Sequence, residues 1–155
     1  MQQDDLEFVG FWARVLATLI DSLLLLCVTA PLLISIYGMS FYTRQDKPFI
    51  AGPADFLINW VLPAIAVIVF WVYKGATPGK MAIGAQVVDS RTGKAISVGQ
   101  AIGRYLAYFI SLIPFCLGVI WVGFDSRKQG WHDKLAGTVV VRKKSRSASP
   151  VAFES

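Results

Sequence analysis

Three blocks of nearly uninterrupted apolar residues dominate the chain, separated by polar or mixed stretches. The first, residues 11–37, reads FWARVLATLIDSLLLLCVTAPLLISIY. About 20 apolar residues carry a helix across a bilayer, so this block is long enough to span. Pro31 lacks an N–H and clashes with the carbonyl of Cys27, which predicts a kink there. The second block, residues 56–73, holds Asn59 and Pro63. Trp60, Trp71 and Tyr73 lie near its ends, as an aromatic belt does. The third, residues 101–124, is interrupted by Pro114 and then Gly118. At 1.5 Å per residue it is about 36 Å long, enough for one crossing but not two.

The stretches between the blocks predict smaller elements. Residues 1–10 read as a polar, helix-compatible lead-in at the interface. Asp55 is suited to cap the second helix. In the segment YKGATPGKMAIGAQVVDSRTGKAISVGQ, residues 77–80 predict a turn or a short helix start. Residues 85–88 predict a strand, and 89–94 a hairpin turn with Gly93 at the left-handed position. Residues 95–98 then form a return strand, or Ser97 caps the third helix. A short helix falls within 125–135 and a strand over 138–142. The fold class is therefore an all-α membrane protein with three apolar helical segments and a small cytoplasmic β-hairpin or strand element. Residues 1–142 form one membrane domain, and 143–155 a basic, Ser-rich disordered tail.

Composition agrees with the blocks. The chain is 55% hydrophobic and only 16% charged, against about 45–50% and 25% for soluble domains. The net charge of +5 sits mostly outside the blocks. It reads as the positive-inside signal of a multi-pass membrane protein, not as a nucleic-acid footprint. The leading segment has Asp4, Asp5 and Glu7 but no Lys or Arg, so the first block is expected to be retained and not cleaved as a signal. Cys27 and Cys116 lie inside apolar blocks and read as packing residues.

Charge creates a conflict over the third block. Lys and Arg cluster in residues 74–104 and 127–146, and the positive-inside rule places both clusters on one side. A full third span separates them. A hairpin bent back near residues 114–118 reunites them and lets the strands at 85–98 and 138–142 pair. Block length favours the span; charge and strand pairing favour the bend.

Two charges lie inside the first block. Arg14 and Asp21 are seven residues apart, hence on one helix face and roughly 10 Å apart along the axis. An ionised Asp at bilayer depth is unfavourable by about 2.5–3.5 kcal/mol on insertion scales, so protein or water must shield it. Asp21 is either a proton- or cation-exchanging carboxylate or a buried structural partner. Arg14 suits a bidentate pair with Asp21 or Asp133. His132 and Asp133 are adjacent, but the chain has one His and no nucleophile motif beside it, so loop structure is the better reading. Lys80 follows Thr77-Pro78-Gly79, but the spacing and hydroxyl of a phosphate loop are missing. It reads as an interfacial lysine.

With Arg14, Asp21 and the run WHDKLAGTVVV in view, the chain resembles the RDD family of small bacterial membrane proteins, named for one arginine and two aspartates. Arg14 matches the arginine, Asp21 the first aspartate and Asp133 the second, with Asp125 as competing candidate. The stretch TPGKMAIGAQVVDSRTGKAIS and Arg104 are similar to the family's linker and third-segment entrance. The resemblance implies a transport role, since one member is described as a sodium/proton antiporter. The expectation is thus a small oligomeric transporter or transport-associated protein with a polar site of Arg14, Asp21 and Asp133, and Arg104, Asp125 and His132 as secondary candidates. The alternative is a non-transporting scaffold or accessory subunit. The expected partners are the lipid bilayer, further copies or a membrane protein, and small cations. No enzyme activity and no cofactor are expected, and the sequence assigns no metal.

Overall fold

A computed structural model describes residues 6–46 and 48–144. The chain starts with strand β1 (Leu6–Phe8) and enters helix α1 (Phe11–Tyr37), which continues through Pro31. A single turn, α2 (Ser40–Thr43), follows. Helix α3 (Pro53–Lys74) runs back. Then come the short α4 (Pro78–Ala82), strand β2 (Ala85–Asp89), helices α5 (Val98–Leu112) and α6 (Leu117–Gly123), the short α7 (Trp131–Ala136) and strand β3 (Thr138–Lys143). The tail beyond residue 144, expected to be disordered, lies outside the described residues.

Within α3, residues Leu57–Val61 form a π-turn just before Pro63. Pro63 cannot donate to the carbonyl of Asn59, and its ring crowds that carbonyl, so the helix widens there. Asp55 does not cap α3 from outside. The helix starts at Pro53, and the Asp55 carboxylate accepts from Ala51 N–H at 2.8 Å and Asn59 Nδ2 at 2.6 Å. The polar Asn59 is thus satisfied within its own helix.

The strands form one antiparallel sheet in the order β1-β3-β2. Leu6 pairs with Lys143 on one side of β3, and Val87 with Val140 on the other. As the central strand, β3 is covered on both faces, which accounts for the unbroken buried run Val139, Val140 and Val141. The helix-compatible lead-in is therefore a strand from Leu6 onward: its backbone completes the open edge of β3. Gly93 adopts the left-handed conformation expected of it, φ 67°. The return strand shrinks to one bridge between Val88 and Ala95. Ser97 takes up the capping role, exchanging hydrogen bonds with Gln100.

This sheet settles the path of the third block. α1 leaves the sheet and α3 returns to it, where Trp71 packs with Val9, Val87 and Val140. Because β3 pairs with both β1 and β2, the segment between β2 and β3 must start and end on the same side. α5 and α6 meet at 112°. α5 has 15 residues, about 22 Å at 1.5 Å each, short of a hydrocarbon core of about 30 Å. The third block therefore folds back toward the side it starts from, as the re-entrant reading expects. Its tip turns through Phe115 and Cys116, both left-handed at φ 52° and 61°. Backbone at membrane depth must find internal partners. Here Phe115 N–H donates to Ile113 O, Cys116 N–H to Leu112 O and Leu117 N–H to Pro114 O. Gly118 packs against Ser111 so closely that an added Cβ would lie 2.8 Å from its Cα and Cβ. Cys27 and Cys116 are exposed on the outer surface of their segments, not packed inside as expected.

Candidate functional site

The singled-out polar residues gather where the start of α1 meets α4, α5 and α7. Arg14 lies one turn into α1, next to the sheet. Each guanidinium nitrogen donates: Nε to Val9 O at 3.0 Å, Nη1 to Asp133 Oδ2 at 2.5 Å, and Nη2 to Lys128 O at 2.5 Å. Asp133, in the first turn of α7, is completely buried. Its Oδ2 also accepts from Gly130 N–H at 3.1 Å. Its Oδ1 lies 2.7 Å from Arg104 Nη2. This is an ion pair by distance, but the atoms are not aligned for a hydrogen bond. Burial pushes the Asp133 carboxyl up, yet Arg104 and then Arg14 outweigh it and hold it below the usual carboxylate range.

Arg104 is itself fully buried on α5. It donates from Nη1 to Thr138 Oγ1 at 2.8 Å, and its Cζ lies 5.0 Å from the Trp71 ring centre. The planar guanidinium suits both tasks, carboxylate pairing and stacking on an aromatic face. Trp71, Tyr108 and His132 form a near-parallel stack, with Tyr108 6.0 Å from Trp71 and 3.8 Å from His132. Burial pushes His132 down to about 3, against the pull of Asp133. Its Nε2 lies 3.6 Å from Asp133 Oδ1, and neither ring nitrogen has a hydrogen-bond partner among the described residues.

Asp21 belongs to a second, separate network. Its Oδ2 accepts from Thr77 Oγ1 at 2.5 Å and its Oδ1 from Gly79 N–H at 2.7 Å. The first turn of α4 approaches α1 so closely that a Cβ on Gly79 would lie 2.9 Å from the Asp21 carboxyl carbon. Arg14 therefore pairs with Asp133 and not with Asp21. The competing Asp125 is elsewhere: it binds Lys134 at 2.5 Å and caps the N–H groups of Arg127 and Gln129. Lys134 is the leading cause that lowers the Asp125 carboxyl.

Lys80 departs most from expectation. It is not an exposed interfacial lysine but buried, with 7% of its surface accessible. Burial lowers its pKa. With Arg14, Thr18, Tyr108 and His132 it lines a cavity of about 250 Å³ whose other walls are apolar. Thr77, Tyr108 and Thr138 also enter these networks unannounced. A neutral hydroxyl in a polar loop carries no distinguishing sequence signal, and only the topology brings Thr138 to Arg104.

The RDD family's sequence profile matches residues 8–137. The chain belongs to the RDD family. RDD relatives include the Bacillus subtilis membrane protein YteJ, 32% identical over 88% of this chain and 82% of its own length. Another from the same organism, YxaI, is 32% identical over 86% of this chain and 97% of its length. The Rickettsia prowazekii protein RP437 is 39% identical over 70% of this chain and spans further, the match covering 63% of it. No solved structure matches this RDD chain. It is a bacterial membrane protein with two to three candidate membrane spans.

Proposed function

We propose that this RDD chain is a non-transporting membrane module, neither a cation/proton exchanger nor an enzyme, which holds a rigid platform at one face of the bilayer for a binding partner. The observation that carries this reading is the occupancy of its acids. Both Asp21 oxygens accept hydrogen bonds from the start of α4, Thr77 and Gly79, and Asp133 is shared by two arginines. An exchanging carboxylate needs an oxygen that a cation can reach, whereas these oxygens fasten one segment to another. Of the 15 lysines and arginines, the connection between the two spans holds only Arg44 and Lys47. The positive-inside rule then puts the sheet and both networks on the cytoplasmic side of the inner membrane. Most of the surface of α1 and α3 lies outside the chain's own packing, which suits lipid, further copies or a membrane partner.

A second reading, cation/proton exchange within an oligomer, has one observation in its favour. Asp21 also borders an apolar groove of about 360 Å³ between α1 and α3. Sodium-driven proton movement in proteoliposomes, measured beside Asp21→Asn, separates the two. The module reading expects no flux above empty vesicles for either protein. Flux that Asp21→Asn abolishes would establish exchange.

A further inference from the structure

The cavity beside Lys80 has an unusual charge balance. Arg14 and Lys80 line it and Arg104 also acts on Lys80, while neither Asp133 nor Asp21 is among its lining residues; the Tyr108 hydroxyl and Asp21 act on Lys80 in the opposite sense. Asp133 is taken by the two arginines and Asp21 by Thr77 and Gly79. The Lys80 ammonium makes no ion pair or hydrogen bond among the described residues, although 93% of the residue's surface is buried. A buried ammonium without a partner is strongly unfavourable unless something compensates it. His132 lines the same cavity with both ring nitrogens unpartnered and 2% of its surface exposed. A native protein seldom leaves two such groups facing one space.

Apart from Thr18, the rest of the wall is apolar. Phe11, Val15 and Leu19 come from α1, and Val119, Ile120 and Val122 from α6. Leu19 and Ile120 are 57% and 41% exposed on the surface that faces lipid. The cavity thus joins a cationic end beside the sheet to the bilayer. It is also several times the roughly 30 Å³ that one water occupies.

We propose that this cavity binds the phosphate headgroup of an anionic membrane amphiphile, the phosphate at Lys80 and His132 and the first carbons between α1 and α6. A cation is disfavoured by the positive excess. A free anion satisfies Lys80 but leaves the apolar walls without a purpose. A phosphate has several acceptor oxygens, matching the donors that Lys80, His132 and Tyr108 bring to the cavity wall. The inference rests on Lys80 and its cavity and stands whether or not the chain exchanges ions.

The test uses the full chain, delipidated in neutral detergent, with lipid retention read by native mass spectrometry and the thermal midpoint read in parallel. The probes are phosphatidylglycerol, phosphatidylcholine and inorganic phosphate. Phosphatidylglycerol is expected to bind saturably and raise the midpoint, with phosphatidylcholine and phosphate much weaker. Lys80→Met is expected to weaken phosphatidylglycerol binding about tenfold or more, and Lys80→Arg to restore part of it. Ile120→Trp fills the apolar wall without changing charge, and should weaken binding even if Lys80→Met does not fold. Equal retention of the two lipids, phosphate acting as strongly as phosphatidylglycerol, or unchanged binding in Ile120→Trp would each overturn the proposal.

Discussion

Arg14 and Asp133 stand 119 positions apart and meet at 2.5 Å, Nη1 to Oδ2. Their contact fastens the start of the first span to the last helix and closes the platform around the re-entrant hairpin. The two roles are unequal. Asp133 is the sole carboxylate between two arginines, so Asp133→Asn strands two positive charges. Removing one member of a buried pair costs about 3–5 kcal/mol. Arg14→Met leaves Arg104 to balance Asp133 and should cost less. Denaturation of the purified variants in detergent measures both. A double-mutant cycle between the two positions should give a coupling of about 1–3 kcal/mol. A coupling near zero would rule out direct pairing.

Gly79 is a point of close approach between the first turn of α4 and α1. A Cβ there would meet the Ala17 carbonyl carbon and the Asp21 carboxyl, each at 2.9 Å. Backbone cannot yield as a flexible side chain does, so Gly79→Ala should cost about 1–3 kcal/mol, as overpacking does. Thr77→Val keeps the shape but removes a donor to a charged group, about 1.5–3 kcal/mol. If Gly79→Ala melts at the wild-type temperature, the close approach is not present in the membrane.

Acid should loosen the platform before the carboxylates titrate. Burial holds His132 at about 3 in the folded chain, against 6.5 ordinarily, with Asp133, Arg104, Arg14 and Lys80 around it. Between those values the unfolded chain binds a proton that the folded chain does not, so stability rises with pH. The contribution is complete above about pH 6.5 and is lost on the way down toward 3, by about 1.4 kcal/mol per unit. Asp133, also lowered, adds a loss of the same sign below its unfolded value of 3.8. Thermal midpoints taken from about pH 7 to pH 4.5 should therefore fall, and His132→Phe, which keeps a ring against Tyr108, should flatten that slope. An equally steep slope in His132→Phe would refute the assignment.

Much of this architecture was legible in the apolar blocks and the turn residues. The two spans, the strand at 85–89 and the cap at Ser97 follow from local pattern, and Pro114 with Gly118 marked where the third block bends. The pairing of Arg14 with Asp133 was one of two open choices, since a linear sequence does not show which carboxylate the fold brings to an arginine. Leu6–Phe8 carry too few residues for an alternation to register as a strand. Lys80 was misread because its burial comes entirely from distant segments, α1 and the hairpin. A lysine beside a Pro-Gly turn has the same local signature whether it faces water or a cavity.

The re-entrant path makes a prediction about sides that composition alone could not. Block length had favoured a third crossing, which would put the loops around Thr92 and Ser126 on opposite faces of the membrane. The antiparallel register of β2 with β3, Asp89 against Thr138, holds both loops on one face. With Cys27 and Cys116 replaced by Ala, single cysteines at Thr92, Ser126 and Thr43 can be probed with an impermeant thiol reagent in intact cells and in inverted vesicles. Thr92→Cys and Ser126→Cys should share one pattern, reacting in inverted vesicles, and Thr43→Cys, between the two spans, should show the reverse. Opposite labelling of Thr92→Cys and Ser126→Cys would restore the third crossing. It would also dissolve the sheet, because strands on two sides of a bilayer cannot share hydrogen bonds.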